Sequence, residues 1–100
     1  MNIGEAIKEL KEGKKIRRSN WSNNDKFIFL QVASSINKEI VGKMQSLPMS
    51  VKDYFNETFE KEQIDAIYYN NQIAKVGLSN LIQSYSPTNE DILSEDWIVI

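Results

Sequence analysis

The sequence predicts an α+β fold: an antiparallel sheet of hairpins with an N-terminal helix and one inserted helix. Three observations carry this expectation. The opening run NIGEAIKELKEG places Ile3, Ala6, Ile7 and Leu10 at helical spacing, on one apolar stripe. The run KFIFLQVA is rich in aromatic and branched residues, and IDAIYYNNQIAKVG holds two further strand-like runs about an Asn-Asn pair. Between them, PMSVKDYFNETFEKE returns to helical spacing, with Val51, Tyr54, Phe55 and Phe59 sharing a face. Helices separated by antiparallel hairpins define the α+β class.

Taken in order, the first helix opens with capping-box spacing between Asn2 and Glu5, and Gly13 suits its C′ position. KKIRRSNW then reads as a short strand that pairs as a hairpin with KFIFLQVA across the polar turn SNND. SSINKEIVGKMQSL carries mixed signals and fits strand, loop or helix. Pro48 suits the first turn of the inserted helix, where Ser50 and Asp53 have capping-box spacing. Asn70 and Asn71 tolerate the positive φ of a tight hairpin turn. LIQSYS adds a strand. Thr88 and Asp91 again have capping-box spacing and predict a short helical turn over NEDILSE, after which DWIVI returns as a last strand. No internal repeat, linker or low-complexity tract interrupts the chain.

One hundred residues make one domain, 1–100. A chain of this size buries only about 60–65% of its unfolded surface, so its core is small. The net charge of −2 supplies no global field for duplex nucleic acid or an anionic membrane. The absence of Cys excludes a disulfide framework and a thiolate zinc site, and the absence of His removes the usual metal ligand and neutral-pH acid/base. No run approaches the ~20 apolar residues of a membrane helix. These features describe a soluble cytoplasmic protein with no cofactor.

Two constellations stand out. Lys15, Arg17 and Arg18 precede Trp21. In an extended strand Arg17, Ser19 and Trp21 share one face, and Ile16, Arg18 and Asn20 the other. Guanidinium groups fork onto phosphate oxygens and an indole stacks on a base. The competing reading is a solvated strand face with Trp21 in the core. The acidic group Glu90, Asp91, Glu95 and Asp96 lacks the loop of a calcium site. Thr88 and Asp91 read best as a helix cap, a role that leaves the Thr88 hydroxyl able to meet a ligand. There is no Gly-rich phosphate loop, Ser-His-Asp set or metal signature, which favours binding over catalysis.

The order of GEAIKELKEGKKIRRSNW, KFIFLQ and SPTNEDILSEDW, over residues 3–31 and 85–97, resembles the Thoeris anti-defence 2 family of small phage and prophage proteins. Residues 34–63 match no pattern of it. The resemblance implies a nucleotide sponge in the cytoplasm of the infected bacterial host. Such a protein binds glycocyclic ADP-ribose, the signal made by a TIR enzyme, without cleaving it, and an NAD-depleting effector stays off. It also implies a homotetramer, a dimer of dimers, with the signal between paired protomers; some relatives bind cyclic dinucleotides at a separate site. Trp21, Thr88, Asp91, Asp96 and Trp97 match the family's positions. Tyr85 stands where the family often has Trp, and Asn89 where Gln is common. The expected ligand-binding set is Arg17, Arg18, Trp21, Tyr85, Thr88, Asn89 and Asp91, with the basic strand on phosphate and the acidic turn on sugar or base. The rival readings are an inhibitor that docks on a type II-A CRISPR nuclease, a role described for one relative, and a nucleotide hydrolase.

Overall fold

The computed structural model describes all residues, 1–100. In chain order it contains α1 (Ile3–Lys11), β1 (Ile16–Arg18), β2 (Asp25–Gln31), β3 (Ser34–Asn37), α2 (Lys38–Val41), α3 (Met49–Glu62), β4 (Ala66–Tyr69), β5 (Gln72–Gly77), β6 (Ile82–Ser84), α4 (Asn89–Leu93) and β7 (Trp97–Val99). Every strand pairing is antiparallel, so the α+β class read from the sequence is the one adopted. The chain forms two compact units, Met1–Val32 with Asn71–Ile100, and Ala33–Asn70.

The first unit is a five-stranded sheet in the order β6-β5-β2-β1-β7. Helix α1 buries Ala6 and Leu10 in a core with Ile16, Ile28 and Trp97. Both halves of the Asn2–Glu5 capping box form, with Glu5 N donating to Asn2 Oδ1 at 2.9 Å and Asn2 N donating to Glu5 Oε1 at 3.1 Å. Gly13, at φ +86°, takes the chain out of the helix in a conformation a Cβ would strain. The last strand lies beside the first, with Arg18 opposite Trp97 and Ile16 opposite Val99. Trp97 is fully buried. Its truncation would cost about 3–5 kcal/mol. The closing aliphatic run therefore completes a sheet edge next to β1.

Two sequence expectations fail here. The strand over KKIRRSNW stops at Arg18: Trp21 N donates to Arg18 O at 3.2 Å and closes a turn. Strand alternation therefore does not reach Trp21. The Asn70-Asn71 hairpin does not exist either. Strand β4 pairs with β3, β5 pairs with β2 and β6, and neither asparagine has a positive φ. The tight connection lies instead at Leu78–Asn80, between β5 and β6, where Ser79 and Asn80 take φ of 58° and 61°. Local turn preference at Asn-Asn loses to the six-residue ladder that joins Gln31 to Gln72 and Asp25 to Gly77.

The second unit joins the β3–β4 ribbon to α2 and α3 around Val41, Phe59 and Ile67. Asn37 caps α2, accepting from Ile40 N at 3.0 Å. Helix α3 begins at Met49 with Pro48 at its cap position and no side-chain cap bond. Ser50 thus sits inside the first turn, and the expected Ser50–Asp53 capping box is not made. Gln63 ends the helix in the left-handed region, at φ 54°.

Candidate functional site

The first unit holds a cavity of about 410 Å³, within the range of small-molecule sites. Its walls come from separate parts of the chain. Arg18 is the last residue of β1, and Asn20, Trp21 and Ser22 form the turn after it. Tyr85, Thr88, Glu90 and Asp91 come from the segment leading into α4, and Asp25 and Lys75 from β2 and β5. A β-bulge sets the last pair. Asp25 lies opposite Gly77 and Phe27 opposite Val76, so two steps along β2 match one along β5. The extra residue turns Asp25 onto the face that carries Lys75, where their side chains meet at 2.9 Å.

Asp91 organises the wall. As N3 of α4 it completes the expected capping box with Thr88, whose hydroxyl accepts from Asp91 N at 3.1 Å while Thr88 N donates to Asp91 Oδ2 at 3.1 Å. The same carboxylate accepts from Arg18 Nη1 at 2.9 Å and from the Tyr85 hydroxyl. Its backbone carbonyl accepts from Trp97 Nε1 at 2.9 Å. Burial alone would raise the Asp91 carboxyl. The bonds from Tyr85, Thr88 and Arg18 favour the charged form and outweigh burial, which places it at about 2. Burial and the Asp91 charge both push the Tyr85 hydroxyl up, so it stays a donor.

Arg18 is 6% exposed and is shared among three carboxylates: Asp96 at 2.9 Å, Asp91 at 2.9 Å and Glu90 at 3.4 Å. Its bonds to Asp96 and Asp91 drive its pKa further up. The Arg18 guanidinium in turn holds the Asp96 carboxyl below its ordinary value. Trp21 is half-buried and makes edge-on contacts with Tyr85 at 5.8 Å and Trp97 at 5.4 Å between ring centroids. Two fixed neighbours therefore hold the indole at the cavity wall.

Of the residues expected from the sequence, Arg18, Trp21, Tyr85, Thr88 and Asp91 meet in this cavity. Arg17 and Asn89 do not line it. The Arg17 guanidinium instead donates to the carbonyls of Arg18 at 3.1 Å and Trp21 at 2.6 Å, bracing the turn between them. The expectation that Arg17 and Trp21 share a strand face is overturned by that turn. Asn89 is exposed at the start of α4. Sequence reasoning missed Asp25 and Lys75. A lysine inside the apolar run Ile73-Ala74-Lys75-Val76 was a legible signal; the bulge that recruits Asp25 had none. The acidic residues form no cluster suited to a metal ion, and no helix is long and apolar enough to cross a membrane.

The sheet, its covering helix and this aromatic-backed polar cavity define a small α+β protein with one wall built on a buried Asp91–Arg18 pair and the half-buried Tyr85. The chain belongs to the Thoeris anti-defense 2-like domain family, whose sequence model matches residues 1–100. It is 26% identical over 100 residues to the Thoeris anti-defense 2 protein of Bacillus phage SP01, a match that covers the whole chain and 94% of that protein. Family membership assigns it a phage anti-Thoeris function.

Proposed function

We propose that this chain acts by binding glycocyclic ADP-ribose and holding it uncleaved, which keeps the NAD-depleting effector of Thoeris defence off. The observation that carries this reading is the cavity itself: Trp21 and Tyr85 supply aromatic surface beside a polar rim of Asn20, Ser22 and Thr88. An indole fixed by edge contacts stacks a base at low ordering cost. Thr88 Oγ1 accepts from Asp91 N, and its O–H remains a donor for a ribose oxygen. The Asp91 carboxylate already accepts three hydrogen bonds. Its part is to fix Arg18, Tyr85 and Thr88 in place. The cavity hydroxyl that meets a carboxylate, Tyr85 on Asp91, is held protonated, and Asp91 is too weak a base to activate it, which favours sequestration over hydrolysis. The protein works as a homotetramer in the cytoplasm of the infected host, with the signal held between paired protomers.

The test is to incubate purified protein with glycocyclic ADP-ribose, separate free ligand by filtration, then denature the protein by heat. The expected result is depletion of free ligand followed by its return intact. Ligand products after heating would establish an enzyme. No depletion would leave the sponge reading without support and favour docking on a protein such as the CRISPR nuclease.

A further inference from the structure

Charge at the cavity is unevenly committed. Its lining carries two cations, Arg18 and Lys75, and three carboxylates, Asp25, Glu90 and Asp91. A ligand anion that takes either cation therefore competes with a carboxylate already on it. Arg18 is the poor choice. Asp91, one of its partners, has a side chain only 9% exposed. Withdrawing the guanidinium would strand that buried charge, which is strongly destabilising. Lys75 differs in each respect. Its sole salt-bridge partner is Asp25, and the two side chains are 28% and 35% exposed. Once released, Asp25 is free to hydrate. A pair this accessible to water costs less to exchange than the buried Arg18–Asp91 pair. The Lys75 ammonium also lies 5.6 Å from the Tyr85 ring centroid, which keeps it at the cavity wall when its carboxylate partner is lost.

We infer that Lys75 is the anion-binding residue of this cavity, and that Asp25, placed by the β2 bulge, is a resting counter-ion that a ligand phosphate displaces. The inference deepens the nucleotide-binding reading above and rests on it. Lys75 supplies the positive charge for a phosphodiester or diphosphate, and Arg18 remains a structural cation. Asp25 sets affinity from the other side, because every ligand phosphate competes with it. Removing its charge therefore tightens binding, which a purely structural role for the pair would not produce.

The experiment is calorimetric titration of the full chain and of Lys75→Gln, Lys75→Arg and Asp25→Asn, at low and high salt, with glycocyclic ADP-ribose and separately with inorganic pyrophosphate. Lys75→Gln is expected to weaken glycocyclic ADP-ribose binding about 10- to 100-fold and to flatten its salt dependence. Lys75→Arg keeps most of the affinity, and Asp25→Asn tightens binding about 2- to 5-fold. These two gains or retentions decide the matter even where Lys75→Gln fails to fold. If wild type binds the signal while Lys75→Gln keeps its affinity and salt slope, the role of Lys75 is overturned and the sponge reading stands. An Asp25→Asn variant that binds more weakly overturns the counter-ion role. If wild type ignores the signal but the variants show the expected order with pyrophosphate, the anion site stands and the ligand assignment falls. Binding of neither probe overturns both.

Discussion

Asp91 shows how much one side chain decides in a small core. It caps α4, receives the Tyr85 hydroxyl and balances Arg18, so its charge is built into the fold rather than presented to solvent. Its folded pKa of about 2 lies below the ordinary 3.8. A depressed carboxylate stabilises the folded state above its ordinary value, and that stability is lost as pH falls through the folded value. Wild-type stability is therefore expected to decline between about pH 4 and pH 2. Asp91→Asn should cost about 1–3 kcal/mol at neutral pH, less than a fully stranded charge because Asp96 stays with Arg18. It should also flatten the acid decline, with the lowered carboxyls of Asp96 and Glu9 left to contribute slope. Urea denaturation of both proteins across that range measures this. An identical pH slope in the two would show that the Asp91 network contributes nothing to acid sensitivity.

At the scale of elements, short pieces are held by their ends. Helix α4 has five residues and α2 four, too short to persist alone. Each is fixed by an N-terminal cap, Thr88 or Asn37, and by one buried side chain, Asp91 or Val41. The longer α3 has no side-chain cap and ends on Gln63 in the left-handed region, which disfavours any residue with a Cβ. Gln63→Gly is accordingly expected to raise stability by about 0.5–1 kcal/mol, since relief of the left-handed strain exceeds the added entropy of the unfolded chain. Chemical denaturation of the two proteins checks the sign. A destabilised variant would mean that the Gln63 side chain makes a compensating contact.

For the whole molecule, the balance of surface and core bears on assembly. Only nine hydrophobic residues are buried, while Leu78, Leu81 and Ile82 at one edge of the five-stranded sheet, and Ile98, Val99 and Ile100 at the other, are at least 40% exposed. Edge strands with apolar side chains invite pairing or burial against a partner. Light scattering at micromolar protein is expected to give about four times the 11.6 kDa of one chain, the homotetramer of the proposed function. A clean monomer would remove the intersubunit part of that proposal and leave the cavity within one chain as the whole site.

What the sequence determined alone is what short-range chemistry decides. The Asn2–Glu5 and Thr88–Asp91 boxes, the Gly13 stop, the strand in KFIFLQ and the closing strand at Trp97 depend on residues a few positions apart, and all are present. Arg18, Trp21, Tyr85, Thr88 and Asp91 were legible as candidates because they fall in two short segments. Tertiary structure decided which segments pair and where charges end up. Asn70-Asn71 had the chemistry of a hairpin, but β4 and β5 found partners elsewhere, because a ladder of several hydrogen-bonded residues outweighs one turn preference. Arg18 looked like a free phosphate ligand until β7 and α4 brought Asp96, Asp91 and Glu90 around it. Asp25 and Lys75 are fifty positions apart, and only the bulge in the β2–β5 register puts them on one face. Side-chain periodicity is exact within a strand, but a single inserted residue reverses it, and no local pattern in the sequence records where that insertion falls.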